Sequence, residues 1–358
     1  MKNLLFCLPL LALGLLAGCA EQSKSVYYSN GISIDSVYDM QVHTLNDSSL
    51  WRFPLQMDYT DSCLVVLDDM DDYYFHVYTQ SGKPVGRFAH KGQGPGELLS
   101  ANQFHLSVCR NVLYVYDGVS RKIVVYHLDT DLISKLHFQE YKVDYGMLPS
   151  SETPFVLYDM LPVKDSVFLV KANQPQLRYG RFDLAKHDIK SVYGNFPTEY
   201  VAGKEEEIWS VFSSDTRTLF KPDYAKMLNA TYIGGILEYF SVRSDLELLA
   251  DTTLCIYEPV YGQAEGAVPV FVVGNENTQL GFEDVYVTNG FVYALLHEKG
   301  DALEPYSIVV FDWQGKAVKR IRTDRRLARL CVDEVRNVVY AMALDEENGY
   351  RLVSISLK

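Results

Sequence analysis

The feature that most constrains the fold of this chain is a repeated pair of strand-like segments. Each copy has a run alternating aromatic or aliphatic with polar residues, then a short polar turn and a second alternating run. This alternation is typical of β-strands. The first runs of the six copies are residues 73–78, 122–126, 178–182, 237–242, 306–311 and 350–355. The second runs, present in five copies, are residues 85–88, 133–136, 189–192, 246–248 and 318–321.

The spacing of these copies predicts an all-β fold, a six-bladed β-propeller. Additional strand patterns precede the runs, as at residues 113–117 and 292–296. Repeats of this size with several short strands are typical of propeller blades, which pack radially against one another. Two β-sandwiches in tandem are the alternative, although no change in composition marks a boundary between them. The equivalent positions are Tyr78, Tyr126, Phe182, Val242, Phe311 and Ile355, which lie 48, 56, 60, 69 and 44 residues apart.

The sixth copy reaches the C-terminus before a second run can form. Residues 32–45 contain strand-like segments but have no blade of their own. We therefore expect an N-terminal strand to complete the C-terminal blade and close the ring, so that residues 31–358 form one propeller domain. The fourth copy is the weakest, and residues 196–235 and 262–277 are predicted to be long loops. Such loops often carry ligand sites.

The first residues have the pattern of an export signal. Lys2 is followed by an apolar run over residues 4–16, too short for a membrane-spanning helix. The segment Leu16-Ala17-Gly18-Cys19 resembles the lipobox of bacterial lipoproteins. This resemblance implies a signal peptide over residues 1–18, a lipid on Cys19 that anchors the protein in the membrane, and a tether over residues 19–30. An ordinary signal peptide with a chance cysteine is the alternative. Ala20, directly after the lipid-bearing cysteine, favours the outer membrane. The sequence does not decide between the periplasmic face and the cell-surface face.

Charge and cysteine spacing exclude several classes of function. The formal net charge of −13 argues against a nucleic-acid partner. No apolar run near 18 residues follows the signal. Four cysteines lie far apart in the predicted domain without zinc-site spacing, and their strand-like surroundings predict buried free thiols, although the envelope would permit disulfides. They are Cys63, Cys109, Cys255 and Cys331.

A glycine-rich segment over residues 88–98 follows the first repeated pair. Together with residues 67–69 and the hairpin over residues 73–88, it resembles the TolB-like six-bladed β-propeller lipoproteins, relatives of NHL-type propellers. The resemblance implies the fold and an envelope location, but it provides no catalytic residues to carry over. The repeat departs from the family pattern over residues 196–280, which makes the assignment of blade four the weakest.

The glycine-rich segment is also the candidate ligand loop, because glycines can expose backbone N–H groups to an anion. A tight turn between blades is the competing interpretation. Pro95 lacks an N–H donor, Glu97 adds negative charge, and no Gly-Lys-Ser/Thr sequence follows. The candidate residues are His90, Lys91, Gly92, Gln93, Gly94, Gly96 and Glu97.

No residue pattern predicts a metal, a cofactor or a catalytic residue. Four carboxylates over residues 68–72 could bind calcium, but they are also typical of a solvated turn. We therefore predict a lipid-anchored, non-enzymatic binding module of the cell envelope for a protein, peptide or glycan partner. The alternative is an envelope hydrolase or lyase. Its site would lie at the mouth of the propeller channel, where carboxylates and histidines from separate blades could meet.

Overall fold

The computed structural model describes residues 24–28, 32–51, 53–69, 72–107, 109–128, 136–144, 156–164, 166–174, 177–197, 211–213, 216–263, 272–300, 305–345 and 349–357. These residues form six sheets of four or five strands arranged in a ring, which confirms the predicted six-bladed β-propeller. Cys19 and the signal peptide lie outside the described residues. Three strands precede the blades: β1 (Lys24–Tyr27), β2 (Val37–Met40) and β3 (His43–Trp51).

Blades 1 to 3 are antiparallel meanders of four strands that are consecutive in the chain. Blade 1 contains β4 (Pro54–Tyr59), β5 (Cys63–Asp68), β6 (Tyr73–Thr79) and β7 (Pro84–His90). Blade 2 contains β8 (Phe104–Leu106), β9 (Val112–Asp117), β10 (Lys122–His127) and β11 (His137–Lys142). Blade 3 contains β12 (Leu157–Lys164), β13 (Val167–Gln174), β14 (Leu177–Asp183) and β15 (Asp188–Tyr193).

The remaining blades include the N-terminal strands. Blade 4 contains β16 (Thr216–Phe220), β17 (Lys226–Thr231), β18 (Ile236–Val242) and β19 (Leu248–Cys255), and a short ribbon of β20 (Gly262–Gln263) and β21 (Val272–Val273) follows it. Blade 5 contains β22 (Phe282–Val287), β23 (Phe291–Leu296), β24 (Ser307–Asp312) and β25 (Ala317–Thr323). Blade 6 contains β26 (Leu327–Asp333), β27 (Val338–Asp345) and β28 (Gly349–Ser356).

The N-terminal segment, residues 24–51, binds along the outer edges of three blades, and we call it the strap. β1 pairs in parallel with β19 of blade 4, and β2 pairs in parallel with β25 of blade 5. β3 pairs antiparallel with β28 and is the fourth strand of blade 6. The sequence predicts that residues 24–28 belong to a tether. In the structure they are part of a sheet, because Val26 also packs against the apolar core of blades 4 and 5.

The core lies between neighbouring blades. The middle strands are nearly continuous apolar runs because the adjacent blades cover both of their faces; every residue of β5 is buried, as are five of the six residues of β24. The outermost strands are covered less, and every residue of β11 is exposed. Burial therefore falls from the middle of each blade to its rim.

Three further predicted segments differ from the structure. Residues 216–220 and 226–231 lie within the predicted loop over residues 196–235, but they form β16 and β17 of blade 4. In the second copy the outer strand is β11, residues 137–142, whereas the prediction was residues 133–136, of which 133–135 lie outside the described residues. In the fourth copy the strand begins at Leu248, after a 3-10 turn over Ser244–Leu246. Asp245 and Leu246 have φ angles of 57° and 63°, a left-handed backbone that interrupts a strand.

Three of the four cysteines have the predicted environment. Cys63, Cys255 and Cys331 are buried free thiols. Burial raises the pKa of the Cys255 thiol to about 11, which keeps it protonated at neutral pH. The prediction was wrong for Cys109, which is exposed, because it lies in the turn between β8 and β9 rather than in a strand.

Candidate functional site

The first strands of the blades surround a central channel that holds two cavities. The wide cavity has a volume of about 590 Å³, and the narrow cavity about 150 Å³. The wide cavity is lined where these strands begin, for example at Pro54 of β4 and Phe282 of β22. The narrow cavity is lined where they end, for example at Asp58 and Val287. The two cavities therefore open toward opposite faces of the ring, which we call the upper and the lower face.

Charged side chains from blades 5 and 6 meet in the wide cavity. Arg329 of β26 pairs with the carboxylate of Glu283 through its Nη1, and its Nε donates to the Leu55 carbonyl of blade 1 at 2.7 Å. His297 Nε2 lies 3.0 Å from Glu283 Oε2, and its ring is 1% exposed. Burial raises the pKa of Glu283, but His297 and Arg329 outweigh burial and bring that pKa below its usual value. Glu283 is therefore an ionised carboxylate with both oxygens engaged.

Asp284, the next residue of β22, has a different environment. Its Oδ2 accepts a hydrogen bond from the Leu330 N–H at 3.0 Å, and its Oδ1 lies 3.7 Å from Arg217 Nε of blade 4. Burial raises the pKa of Asp284, and the charges of Arg217 and Arg329 oppose that shift without cancelling it. Arg217 lines both cavities and therefore lies where they adjoin.

The narrow cavity contains a closed arrangement of charges. Arg110 donates from Nη1 to Asp58 at 2.8 Å and from Nη2 to the Tyr286 hydroxyl at 2.7 Å. The Tyr286 hydroxyl donates to the same Asp58 oxygen at 3.0 Å, and the guanidinium stacks 4.0 Å from the centre of the Tyr59 ring. Burial raises the pKa of Tyr286 and keeps it a donor. These groups bond to one another and thereby join blades 1, 2 and 5.

A second imidazole–carboxylate pair lies between blades 2 and 3. His105 Nε2 is 2.9 Å from Asp159 Oδ1, and both side chains are largely buried. Burial raises the pKa of Asp159, but His105 and Lys171 lower it by more, so the net shift is downward. His105 lines the narrow cavity. Together with His297 and Glu283, it gives the channel two such pairs.

The glycine-rich loop lines neither cavity. Its groups bond largely to one another: Gly92 N–H donates to the Leu98 carbonyl at 3.0 Å, and Gly94 N–H donates to Glu97 Oε2 at 2.8 Å. His90 Nδ1 lies 3.6 Å from the Glu97 carboxylate. Gln93 is exposed. The loop is thus an ordered turn between β7 and β8.

Contacts on both sides hold this loop against blades 1 and 2. Lys91 Nζ lies 3.1 Å from the Asp69 carboxylate and 4.9 Å from the centre of the Tyr74 ring. Gly96 has a φ of +72°, and its N–H donates to Glu140 Oε1 at 3.1 Å. A Cβ at Gly96 would come within 2.9 Å of the Phe138 ring, so this position requires glycine. The ligand-loop role remains a prediction.

The acidic run over residues 68–72 is described only in part, since Met70 and Asp71 lie outside the described residues. Asp69 is paired with Lys91. Within the described ranges no group of three or more His, Cys, Asp or Glu side chains could hold a metal ion.

Spacing along the chain does not reveal the charged residues of the wide cavity. Each is separated from its partners by many residues, and only the ring brings them together. The available signal was their position: Arg217, Glu283, Asp284 and Arg329 lie one to three residues into the first strand of a blade. Charged residues on a strand that faces the propeller axis indicate a site in the channel, and rules based on motif spacing do not detect them.

The comparisons with known proteins agree with this architecture. A family model described as TolB-like 6-blade propeller-like matches residues 34–335. A crystal structure of a candidate exported protein from Bacteroides fragilis aligns with a TM-score of 0.54 at 14% identity, covering 94% of this chain and 99% of that one. A crystal structure of a member of the DUF4221 family from Bacteroides vulgatus aligns with a TM-score of 0.49 at 11% identity, covering 91% of this chain and 97% of that one. No curated protein matches the sequence. None of the described helical segments has the length and apolarity needed to span a membrane.

Proposed function

Since the chain belongs to the TolB-like six-bladed propeller family, we propose that it is a lipid-anchored binding protein of the bacterial envelope that takes its ligand into the wide cavity. The observation that carries this proposal is the cavity itself. It measures about 590 Å³ and combines apolar walls with a few converging charged groups. Concave sites of this size and composition are typical of small-molecule or chain-end recognition.

The envelope location rests on the N-terminal sequence. The lipobox-like segment ends at Cys19, and the strap begins at Lys24. Five residues span at most about 18 Å, so a lipid on Cys19 would hold the rim of blade 4 close to the bilayer. The B. fragilis neighbour, a candidate exported protein, agrees with this location.

The binding function is tested by obstructing the wide cavity. Asn102 lines this cavity and is exposed, so Asn102→Trp narrows its mouth without disturbing the core. Ala185, exposed in the turn between β14 and β15, provides the matched control Ala185→Trp. We expect the wild type and A185W to retain the same ligand from envelope extracts, identified by mass spectrometry, and N102W to lose it. Equal retention by N102W contradicts the proposal.

The lipid anchor is tested separately. In cells, Cys19→Ala is expected to abolish incorporation of radiolabelled palmitate and to move the protein from the membrane fraction to the soluble fraction, because no acyl chain remains to partition into the bilayer. Cys109→Ala is the control, since Cys109 is a free thiol far along the chain. Unchanged labelling of C19A contradicts lipidation at this residue.

An envelope hydrolase or lyase is the second candidate function. It is favoured by the His297–Glu283 pair in the wide cavity, because an imidazole oriented by a carboxylate is a common general base. The test is release of reducing ends from envelope polysaccharides by the wild type and by His297→Gln. Turnover that H297Q abolishes supports it, and no turnover by the wild type contradicts it.

A further inference from the structure

Arg217 has hydrogen-bonding capacity that the protein does not use. Its side chain is 15% exposed, and its only ion pair among the described residues is with Asp284 at 3.7 Å, which is longer than a hydrogen bond. Its buried Nε has no acceptor. Since Arg217 lines both cavities, its guanidinium is placed where a ligand in the wide cavity would reach it.

The second arginine of the wide cavity is already occupied. Arg329 donates to the Leu55 carbonyl, the Ala328 carbonyl and the Glu283 carboxylate. Asp284 has its Oδ2 engaged by the Leu330 N–H. Arg217 is therefore the cation with donors to spare, and its planar fork matches a carboxylate better than a single point charge does.

Two more buried polar atoms at the wide cavity have no hydrogen-bond partner among the described residues. Gln103 Nε2 donates to the Thr216 carbonyl at 3.3 Å, which places the amide next to Arg217, but Gln103 Oε1 accepts no hydrogen bond. His297 Nδ1 has none either. An unmet buried polar group is unfavourable. A ligand complementary to this site would therefore bring an acceptor for Arg217 and a donor for Gln103.

The walls of the wide cavity add an apolar requirement. Phe282 is buried there, whereas Phe53 is 55% exposed, so the Phe53 ring is available to contact a ligand. An apolar group of the ligand would remove the Phe53 ring from water. A complementary ligand would therefore carry a carboxylate, a hydrogen-bond donor and an apolar group close together.

We propose that the wide cavity binds the free C-terminal residue of a peptide, with the carboxylate on Arg217, the amide N–H on Gln103 and an apolar side chain against Phe53. All three groups of such a residue are attached to one Cα atom. This inference rests on the proposed binding function of the cavity and specifies its ligand class.

The test uses the full chain in detergent and isothermal titration at pH 7. The probes are N-acetyl-phenylalanine, its amide and glucuronic acid. We expect the amide and glucuronic acid to bind at least 10-fold more weakly than the acid. Arg217→Met should weaken binding of the acid at least 10-fold, and Arg217→Lys by less. The matched control is Arg320→Met. Arg320 lies on β25, pairs with Glu298 and lines neither cavity.

The outcomes separate this inference from the proposed function. Equal binding of the acid and its amide, or unchanged binding by R217M, overturns it. Tighter binding of glucuronic acid overturns it in favour of an acidic glycan. If no probe binds while N102W still abolishes retention from extracts, the peptide inference falls and the binding function stands. If N102W has no effect on retention, the binding function falls as well.

Discussion

Two buried arginine–carboxylate pairs in this propeller differ in how completely they are bonded. Arg178 of blade 3 and Glu238 of blade 4 form a two-pronged pair, and Asn229 donates to the same carboxylate at 3.0 Å. The Arg178 side chain is fully buried, with the Phe196 and Phe212 rings about 5 Å from its guanidinium carbon. Arg217 and Asp284 in the channel lie 3.7 Å apart and leave donors unused.

These two pairs show how structural charges can be distinguished from candidate binding charges. A buried charge is tolerated when hydrogen bonds surround it. The Arg178–Glu238 pair meets this condition at both Nη atoms of the guanidinium, although Arg178 Nε, like Arg217 Nε, has no acceptor among the described residues. The Arg178 side chain is fully buried between two blades, so a ligand cannot reach it. The Arg217–Asp284 pair borders a cavity and meets the condition only in part. Incomplete bonding at a solvent-accessible place, rather than charge alone, indicates a binding site.

The largest effect is expected for Arg178→Met. The substitution leaves Glu238 buried without its cation, and removing one partner of a buried pair typically costs about 3–5 kcal/mol. Urea denaturation of the full chain should show this loss in the free energy of unfolding. The control is the double variant Arg178→Met, Glu238→Leu, which should recover part of the loss. A loss below about 1 kcal/mol for R178M would mean that the two pairs do not differ as described.

Neutralising the two carboxylates should change stability in opposite directions. Glu238→Gln leaves the Arg178 charge unbalanced and should cost about 2 kcal/mol. Asp284→Asn should raise stability at pH 7, because burial raises the pKa of Asp284 and ionisation is therefore unfavourable in the folded state.

The sign of the second effect fixes its pH range. A carboxyl group whose pKa is higher in the folded than in the unfolded state adds stability at pH values below its unfolded-state pKa. This stability is lost as pH rises through the folded-state pKa. The advantage of D284N over the wild type should therefore vanish near pH 3 and be full at pH 7, as followed by thermal denaturation. A lower melting temperature for D284N at pH 7 contradicts the interpretation of Asp284.

Arg217→Met should change stability by less than about 1 kcal/mol, because its ion pair is long and borders a cavity. Urea denaturation beside R178M gives the direct comparison. A loss comparable to that of R178M would show that Arg217 is a structural cation, whatever its effect on ligands.

The smallest effect is a pH dependence of ligand binding. Asp284 lies near Arg217 and Arg329 and lines the same cavity as Glu283 and His297. As pH falls through its raised pKa, Asp284 becomes neutral. Binding of N-acetyl-phenylalanine should therefore weaken as pH rises through the pKa of Asp284, as long as the ligand carboxylate stays ionised. Titrations of the wild type and D284N across this range test it. A profile unchanged in D284N excludes Asp284 as the titrating group.

The fold could be predicted from sequence because alternation is local. The runs at residues 73–78 and 306–311 correspond to β6 and β24 within a residue at each end. Predictions failed where the local pattern did not determine the structure. Leu246 is apolar but lies in a left-handed turn. Residues 24–28 were not predicted to form a strand, but residues 24–27 pair with β19. The pairing of residues 24–27 depends on partners more than 200 residues away in the chain.

The site was harder to predict than the fold. The glycine-rich loop is predictable as a candidate ligand loop because its residues are adjacent in sequence. In the structure, however, its hydrogen bonds are largely internal. Arg217 and Gln103 come from different blades, and each looks ordinary alone. They are notable because Arg217 Nε and Gln103 Oε1 have no hydrogen-bond partner among the described residues, which is visible only in the folded structure.

The strap also sets the order in which this chain can fold. Lys24 pairs with Thr252, so the first strand to be synthesised waits for a partner 228 residues later. At a synthesis rate of about 5–20 residues per second, that interval is roughly 10–45 s. β2 and β3 wait longer still, because their partners β25 and β28 follow β19 in the chain. Unpaired strands are prone to wrong associations. The ring can therefore close only after the last blade has been synthesised.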